Sequence, residues 1–161
     1  MFKVMMRFVS ILVVCLAPFI ASAAKPPGEA ATITSIELKG EARPGSVVKA
    51  VIKVKLEKAY HVHSHKPSEE NFIATVLTLE PSAGIKAGDI AYPKGKSLKV
   101  DGLDIPLSVY EDEFEITVTL GLSAQAKLPA VIPATLRYQA CQGAQCYAPQ
   151  RLKLEIKLPG K

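Results

Sequence analysis

No window of a dozen residues repeats its apolar side chains at helical spacing, which excludes a helical bundle as the framework. Beyond residue 23 there is no long apolar run, so nothing there reads as a membrane-spanning helix. The chain has no Gly-rich phosphate loop, no Gly-x-Ser-x-Gly elbow and no Asp-x-Asp-x-Asp calcium loop. Nucleotide and hydrolase roles are therefore unsupported. The lysines are scattered along strand-like stretches, as at Lys49, Lys53 and Lys55, with no clustered basic patch interleaved with aromatics, so a nucleic-acid partner is not expected. Internal repeats are absent. Cysteine is scarce, with three in 161 residues.

One of the three lies in what reads as a leader. Lys3 and Arg7 give a positive start, Phe8 to Ile20 is almost entirely apolar, and Ala21-Ser22-Ala23 offers the small residues of a cleavage site. The apolar run, about 13 residues, is too short for a permanent span of a bilayer core roughly 30 Å thick. Cys15 follows Val13-Val14 with no small residue before it, which argues against a lipid anchor. Residues 1–23 are thus expected to be a signal peptide, 24–31 a flexible start, and 32–161 one domain. Losing Lys3 and Arg7 takes the formal charge from +5 to +3. The product is expected in the periplasm, without stable membrane insertion, where a disulfide is chemically allowed.

What remains alternates with a period of two. Val48, Ala50, Ile52, Val54 and Leu56 alternate with Lys49, Lys53, Lys55 and Glu57. Phe114, Ile116, Val118 and Leu120 do the same, as do Leu152, Leu154, Ile156 and Leu158. One buried and one wet face is the mark of antiparallel sheet. Further strands are expected at Thr32–Leu38, Tyr60–Ser64, Ile73–Leu79, Ile85–Ala91 and Ala130–Ala140, separated by turn formers such as Arg43-Pro44-Gly45 and Asp101-Gly102. The expected fold is an all-β, immunoglobulin-like antiparallel β-sandwich, with a closed barrel as the alternative.

Cys141 and Cys146 stand in Tyr138-Gln139-Ala140-Cys141-Gln142-Gly143-Ala144-Gln145-Cys146-Tyr147-Ala148-Pro149. A bond between them closes a ring of six residues. Loop-closure entropy makes so small a ring worth about 2 kcal/mol. A staple built for stability would join distant strands. The intervening Gln142-Gly143-Ala144-Gln145 is polar and turn-like, and a disulfide there is open to attack by an incoming thiolate. The spacing is not the two-residue spacing of a thioredoxin centre at a helix N-terminus. Structural bridge, redox centre and metal-binding thiol pair all remain open on these grounds.

The same stretch resembles the N-terminal periplasmic domain of DsbD-type thiol:disulfide interchange proteins. Tyr138-Gln139-Ala140-Cys141, then Cys146 and Pro149, is similar to that family's Tyr-Gln-x-Cys start, second cysteine and proline. Ala59-Tyr60-His61-Val62-His63 looks like its Gly-Trp-His-Ile-Tyr strand, Ala91-Tyr92-Pro93 like its Tyr-Pro turn, and Val109-Tyr110-Glu111-Asp112-Glu113 like the opening of its next strand. The likeness runs from about Ile33 to Leu158. It implies a sandwich whose cysteines cycle between dithiol and disulfide with no cofactor. Cys146 would form the mixed disulfide and Cys141 would resolve it. Tyr60, His61, His63, Tyr110 and Tyr138 would lie near the pair. A cap loop would fall at Asp101-Gly102-Leu103-Asp104, with Leu103 where an aromatic is often found. The implied donor is a membrane-embedded thiol reductase or thioredoxin-like domain. The implied acceptor is a periplasmic disulfide isomerase or a thioredoxin-like protein of cytochrome c maturation. Relatives continue into a membrane bundle, whereas this chain stops at Lys161, so the donor is expected in trans.

All three histidines fall in His61-Val62-His63-Ser64-His65. On a strand their rings would share one face, a spacing able to hold copper or zinc. A copper or zinc carrier is therefore an alternative function, alongside a binding module with a structural disulfide. An imidazolium at His63 would favour a thiolate nearby. The acidic run Glu111-Asp112-Glu113 is expected to open a strand on its solvent side.

Overall fold

The structure, a computed structural model, describes residues 30–160. The leader, Cys15 and most of the expected flexible start lie outside those residues. Twelve strands follow in order: β1 (Ala31–Lys39), β2 (Val47–Leu56), β3 (His61–His63), β4 (Val76–Leu79), β5 (Ile85–Ala91), β6 (Lys96–Leu98), β7 (Leu107–Glu111), β8 (Glu113–Leu122), β9 (Ala130–Tyr138), β10 (Ala140–Gln142), β11 (Gln145–Cys146) and β12 (Gln150–Leu158). Every pairing is antiparallel. No helix among the described residues is long and apolar enough to cross a membrane. The fold is the all-β, immunoglobulin-like sandwich that the alternation implied.

The alternating runs form the core strands. In β2 the side chains of Val48, Ala50, Ile52, Val54 and Leu56 are buried, while Lys49 and Lys55 are exposed. In β8 Phe114, Ile116, Val118, Leu120 and Leu122 are buried. These two strands sit at the centre of a sheet ordered β1-β2-β8-β5. Facing them are Ile132, Ala134, Leu136 and Tyr138 of β9 and Leu154, Ile156 and Leu158 of β12, all in the same apolar cluster. β9 lies between β12 and β4 in a three-stranded sheet.

The remaining sheet is ordered β11-β10-β3-β7-β6 and carries the cysteines. It is joined to the rest by two changes of direction. The expected strand Ala130–Ala140 breaks at Gln139 into β9 and β10, so the chain leaves one sheet and enters another between Tyr138 and Ala140. Asp112, at φ +57°, separates β7 from β8 in the same way. The inner face of this sheet belongs to the core: Val62, Tyr110 and Ala140 are buried in the main cluster. Its other face holds His61, His63, Val109 and Cys141, which are buried but lie outside that cluster.

Several boundaries differ from the expected ones. β1 begins at Ala31, and Ala30 and Ala31 are buried, although both fall in the stretch expected to be a flexible start. β3 is only His61–His63, because the chain turns away at Ser64, whose Oγ donates to the Lys66 carbonyl at 2.7 Å. Ile73–Thr75 precede β4 rather than forming it. β5 spans Ile85–Ala91 as expected.

The central position of β8 makes a direct test of this core. Ile116 is fully buried. Ile116→Ala is expected to lower unfolding stability by about 2–5 kcal/mol, read as a fall in the urea midpoint with an unchanged slope.

Candidate functional site

The site begins with a turn. Gln142 pairs with Gln145 and Cys141 with Cys146 across the hairpin of β10 and β11. That leaves Gly143-Ala144 as a two-residue loop, and Gly143 has φ +56°. A first central residue with positive φ is what a type II′ hairpin turn requires, and glycine meets it without strain. The turn fixes the register, and the register sets the cysteines directly opposite each other. Their Cα atoms are 4.0 Å apart and their sulfurs are bonded. The Tyr147 amide donates to the Ala140 carbonyl at 2.9 Å, closing the hairpin one step further out.

The register continues across the sheet. Cys141 pairs with His61 of β3, and His61 pairs with Glu111 of β7. Opposed residues project to the same face, so Cys146, Cys141, His61 and Glu111 form one row. His63 sits one step along β3 on that face, paired with Val109. Its Nε2 lies 3.9 Å from Cys141 Sγ. The Phe72 ring stacks on the His63 imidazole at 4.5 Å between centroids, 8° from parallel.

Burial divides the disulfide. Cys141 has no solvent exposure, whereas Cys146, on the edge strand β11, is exposed. Burial also governs the imidazoles. Desolvation pushes the His63 pKa down, and the neighbouring His61 pushes it further. Desolvation lowers His61 too, with Glu111 pulling weakly the other way. In the disulfide form burial thus favours the neutral ring at both positions. These directions belong to the disulfide form, in which no thiolate faces His63; the imidazolium expected beside a thiolate concerns the reduced pair. Neither His61 Nε2 nor His63 Nδ1 has a hydrogen-bond partner among the described residues. A neutral ring offers sulfur either an N–H or a lone pair from Nε2, according to its tautomer.

The other expected site residues divide. Tyr60 is near: its ring lies 6.0 Å from that of Tyr147, the residue after Cys146. Tyr110 is on the opposite face, in the core, stacked on Phe114, with its hydroxyl donating to the Pro93 carbonyl and accepting from the His65 amide. Tyr138 is also a core residue, donating to Gln150 Oε1 at 2.7 Å. Asp101 of the expected cap loop lines a hollow of about 400 Å³ that His61, Glu111, Gly143 and Ala144 also line. Leu103 does not take part in it. It is 41% exposed and lines a separate hollow built from residues 99–106 of its own loop.

His65 does not join the other histidines. Its ring stacks on Tyr92 at 3.8 Å, and its Nδ1 is 3.1 Å from the Thr75 carbonyl. The three-histidine metal face is thus overturned: β3 ends at His63, and His65 follows the loop away. In its place His63, Cys141 and Cys146 bring their donor atoms within 4.8 Å of one another. Sequence reasoning missed Phe72 and Glu111. Phe72 was legible as the one aromatic between His65 and Thr75, and Glu111 as the acidic residue that ends β7.

A buried sulfur bonded to an exposed one, on an edge hairpin of an antiparallel sandwich, is an arrangement for thiol–disulfide exchange. The chain matches the family described as Thiol:disulfide interchange protein DsbD, N-terminal, over residues 30–157, and it belongs to that family. Among solved structures it is similar to the N-terminal periplasmic domain of ScsB from Proteus mirabilis, at 16% identity and a TM-score of 0.56, covering 83% of this chain and 49% of that one. It is also similar to the DsbD N-terminal domain of Neisseria meningitidis in the reduced form, at 20% identity and a TM-score of 0.49, covering 85% and 92%. A third similar structure is the complex between the DsbD and PilB N-terminal domains of Neisseria meningitidis, at 20% identity and a TM-score of 0.46, covering 88% and 91%. No curated protein gives a match to the chain.

The unequal burial has a measurable consequence. After reduction, limiting iodoacetamide is expected to alkylate Cys146 faster than Cys141 by roughly tenfold or more, because a buried apolar setting disfavours the thiolate. Peptide mass mapping reads the ratio. Equal labelling would mean that the hairpin opens on reduction.

Proposed function

We propose that the protein is a periplasmic carrier of reducing equivalents, working by thiol–disulfide exchange at Cys141 and Cys146. The observation that carries this reading is the exposed Cys146 sulfur bonded to the fully buried Cys141 sulfur. A thioredoxin-like donor reaches only Cys146. Its thiolate attacks Cys146 Sγ, forming a mixed disulfide, and the electron pair of the old bond stays on Cys141. The donor's second thiolate then attacks its own sulfur in the mixed disulfide. The donor leaves oxidised and the pair remains as a dithiol.

Delivery runs the same steps in reverse. The Cys146 thiolate attacks the acceptor's disulfide, and Cys141 resolves the mixed disulfide that forms. His63 serves the buried partner. With its proton on Nε2 it hydrogen-bonds the Cys141 sulfur when that sulfur carries charge, the state that burial most disfavours. The donor would be a membrane-embedded thiol reductase or thioredoxin-like domain, and the acceptor a periplasmic disulfide isomerase or thioredoxin-like protein. The hollow lined by Asp101, Gly143 and Ala144, at the turn joining the two cysteine strands, supports docking of such a partner there.

Cys141→Ser is the direct test. It removes the resolving thiol, so Cys146 is expected to stay covalently linked to whichever partner docks, as a band that vanishes on reduction. No trapped partner, together with a pair that stays oxidised below about −300 mV, would identify a structural bridge instead.

A further inference from the structure

The residues that serve exchange also form, once the pair is reduced, a set of soft metal donors. Both sulfurs and the His63 imidazole offer donor atoms that lie within 4.8 Å of one another. In the disulfide the sulfurs satisfy each other. In the dithiol they become two soft ligands held by adjacent strands, beside a nitrogen held by a third.

We propose that the reduced pair, together with His63 Nε2, forms a three-coordinate site for a soft monovalent cation, Cu(I). This rests on the pair being reducible but on no exchange partner. The distances suit it. Metal–sulfur bonds of about 2.3 Å and metal–nitrogen bonds of about 2.0 Å place trigonal donors roughly 3.7–4 Å apart. His63 Nε2 already lies 3.9 Å from Cys141 Sγ. Only the Cys146 sulfur has to swing outward, and it belongs to an exposed residue on an edge strand. Cys141 and His63 are held by burial, and Phe72 fixes the plane of the imidazole.

Ligand type selects the metal. Two thiolates favour soft ions, and thiolate with imidazole suits copper and zinc. Structural zinc takes four protein ligands, and zinc held by two cysteines and one histidine keeps a water in the fourth position; the described residues bring three donors together here, so competition with zinc is the discriminating measurement. His65, which a histidine-only site would need, is held by Tyr92 and Thr75. Binding changes no oxidation state. Two S–H protons are released, two copper–sulfur bonds form, and the His63 lone pair completes the set. The two electrons that open the disulfide come beforehand from a dithiol. Cation and disulfide therefore exclude each other, and a bound ion keeps the pair reduced.

The test uses the chain reduced with a phosphine, freed of reductant, and shown by thiol labelling to carry both thiols. Anaerobic titration of Cu(I) against a chromophoric chelator is expected to give one ion per chain for the reduced protein and none for the disulfide form. His63→Ala should weaken binding by about tenfold or more, whereas His65→Ala should leave it unchanged. X-ray absorption on the unaltered protein is expected to show two sulfurs and one nitrogen, which decides the matter even if His63→Ala folds poorly. Equal binding by the disulfide form, a sulfur-only shell, or zinc displacing Cu(I) would each overturn the site. A chain that binds copper but traps no partner through Cys146 sinks the exchange reading alone. A chain that traps a partner but binds no copper sinks this one alone.

Discussion

The site depends on register. A two-residue turn at Gly143-Ala144 makes Cys141 oppose Cys146, and the pairing of β10 with β3 makes Cys141 oppose His61. Side chains on a strand alternate between faces, so a slip of one residue would turn Cys141 into the apolar core and bring Ala140 outward. The core guards against that slip. Val62 and Ala140 are fully buried in the main cluster on the inner face. The apolar packing that holds the sandwich together is thus also what holds the sulfur beside the histidines.

The same packing explains why the two sulfurs differ. β10 lies between β11 and β3, so Cys141 is flanked by a strand on each side, while β11 is the end of the sheet. A two-residue strand at an edge is too short to recruit another chain by strand addition, which is one way natural sheets protect their edges. It is nonetheless long enough to present one sulfur. Position in the sheet, rather than any difference in local sequence, separates an attackable cysteine from a sheltered one.

Much of the framework was legible because it is periodic. β2, β8 and β12 could be read from strict alternation, and β5 was placed to the residue. Short elements were not. β6 is three residues, Lys96–Leu98, with no apolar alternation to mark it. The split of Ala130–Ala140 at Gln139 was invisible because both halves alternate and only the partner strands change. At the site, Cys141 and Cys146 stood out by spacing. The closeness of His63 could not be derived from spacing, since 78 positions separate it from Cys141. Tyr110 and Tyr138 were expected near the cysteines on the strength of the family resemblance. The alternation of faces sends both rings into the core instead.

The neutral state of the histidines ties exchange and metal binding to one cause. Burial costs a charged imidazole more than a neutral one, and here two rings lie 6.5 Å apart, with His61 pushing the His63 pKa down further. A permanent cation beside Cys141 would hold its thiolate so well that the disulfide would be slow to reform. A neutral ring gives a weaker, reversible contact, an N–H for the thiolate or a lone pair for an ion. An arrangement in which the buried sulfur must pass repeatedly between bonded and free states is better served by the weaker partner. The strand that places His61 and His63 against the cysteines, away from any buried acid, supplies it.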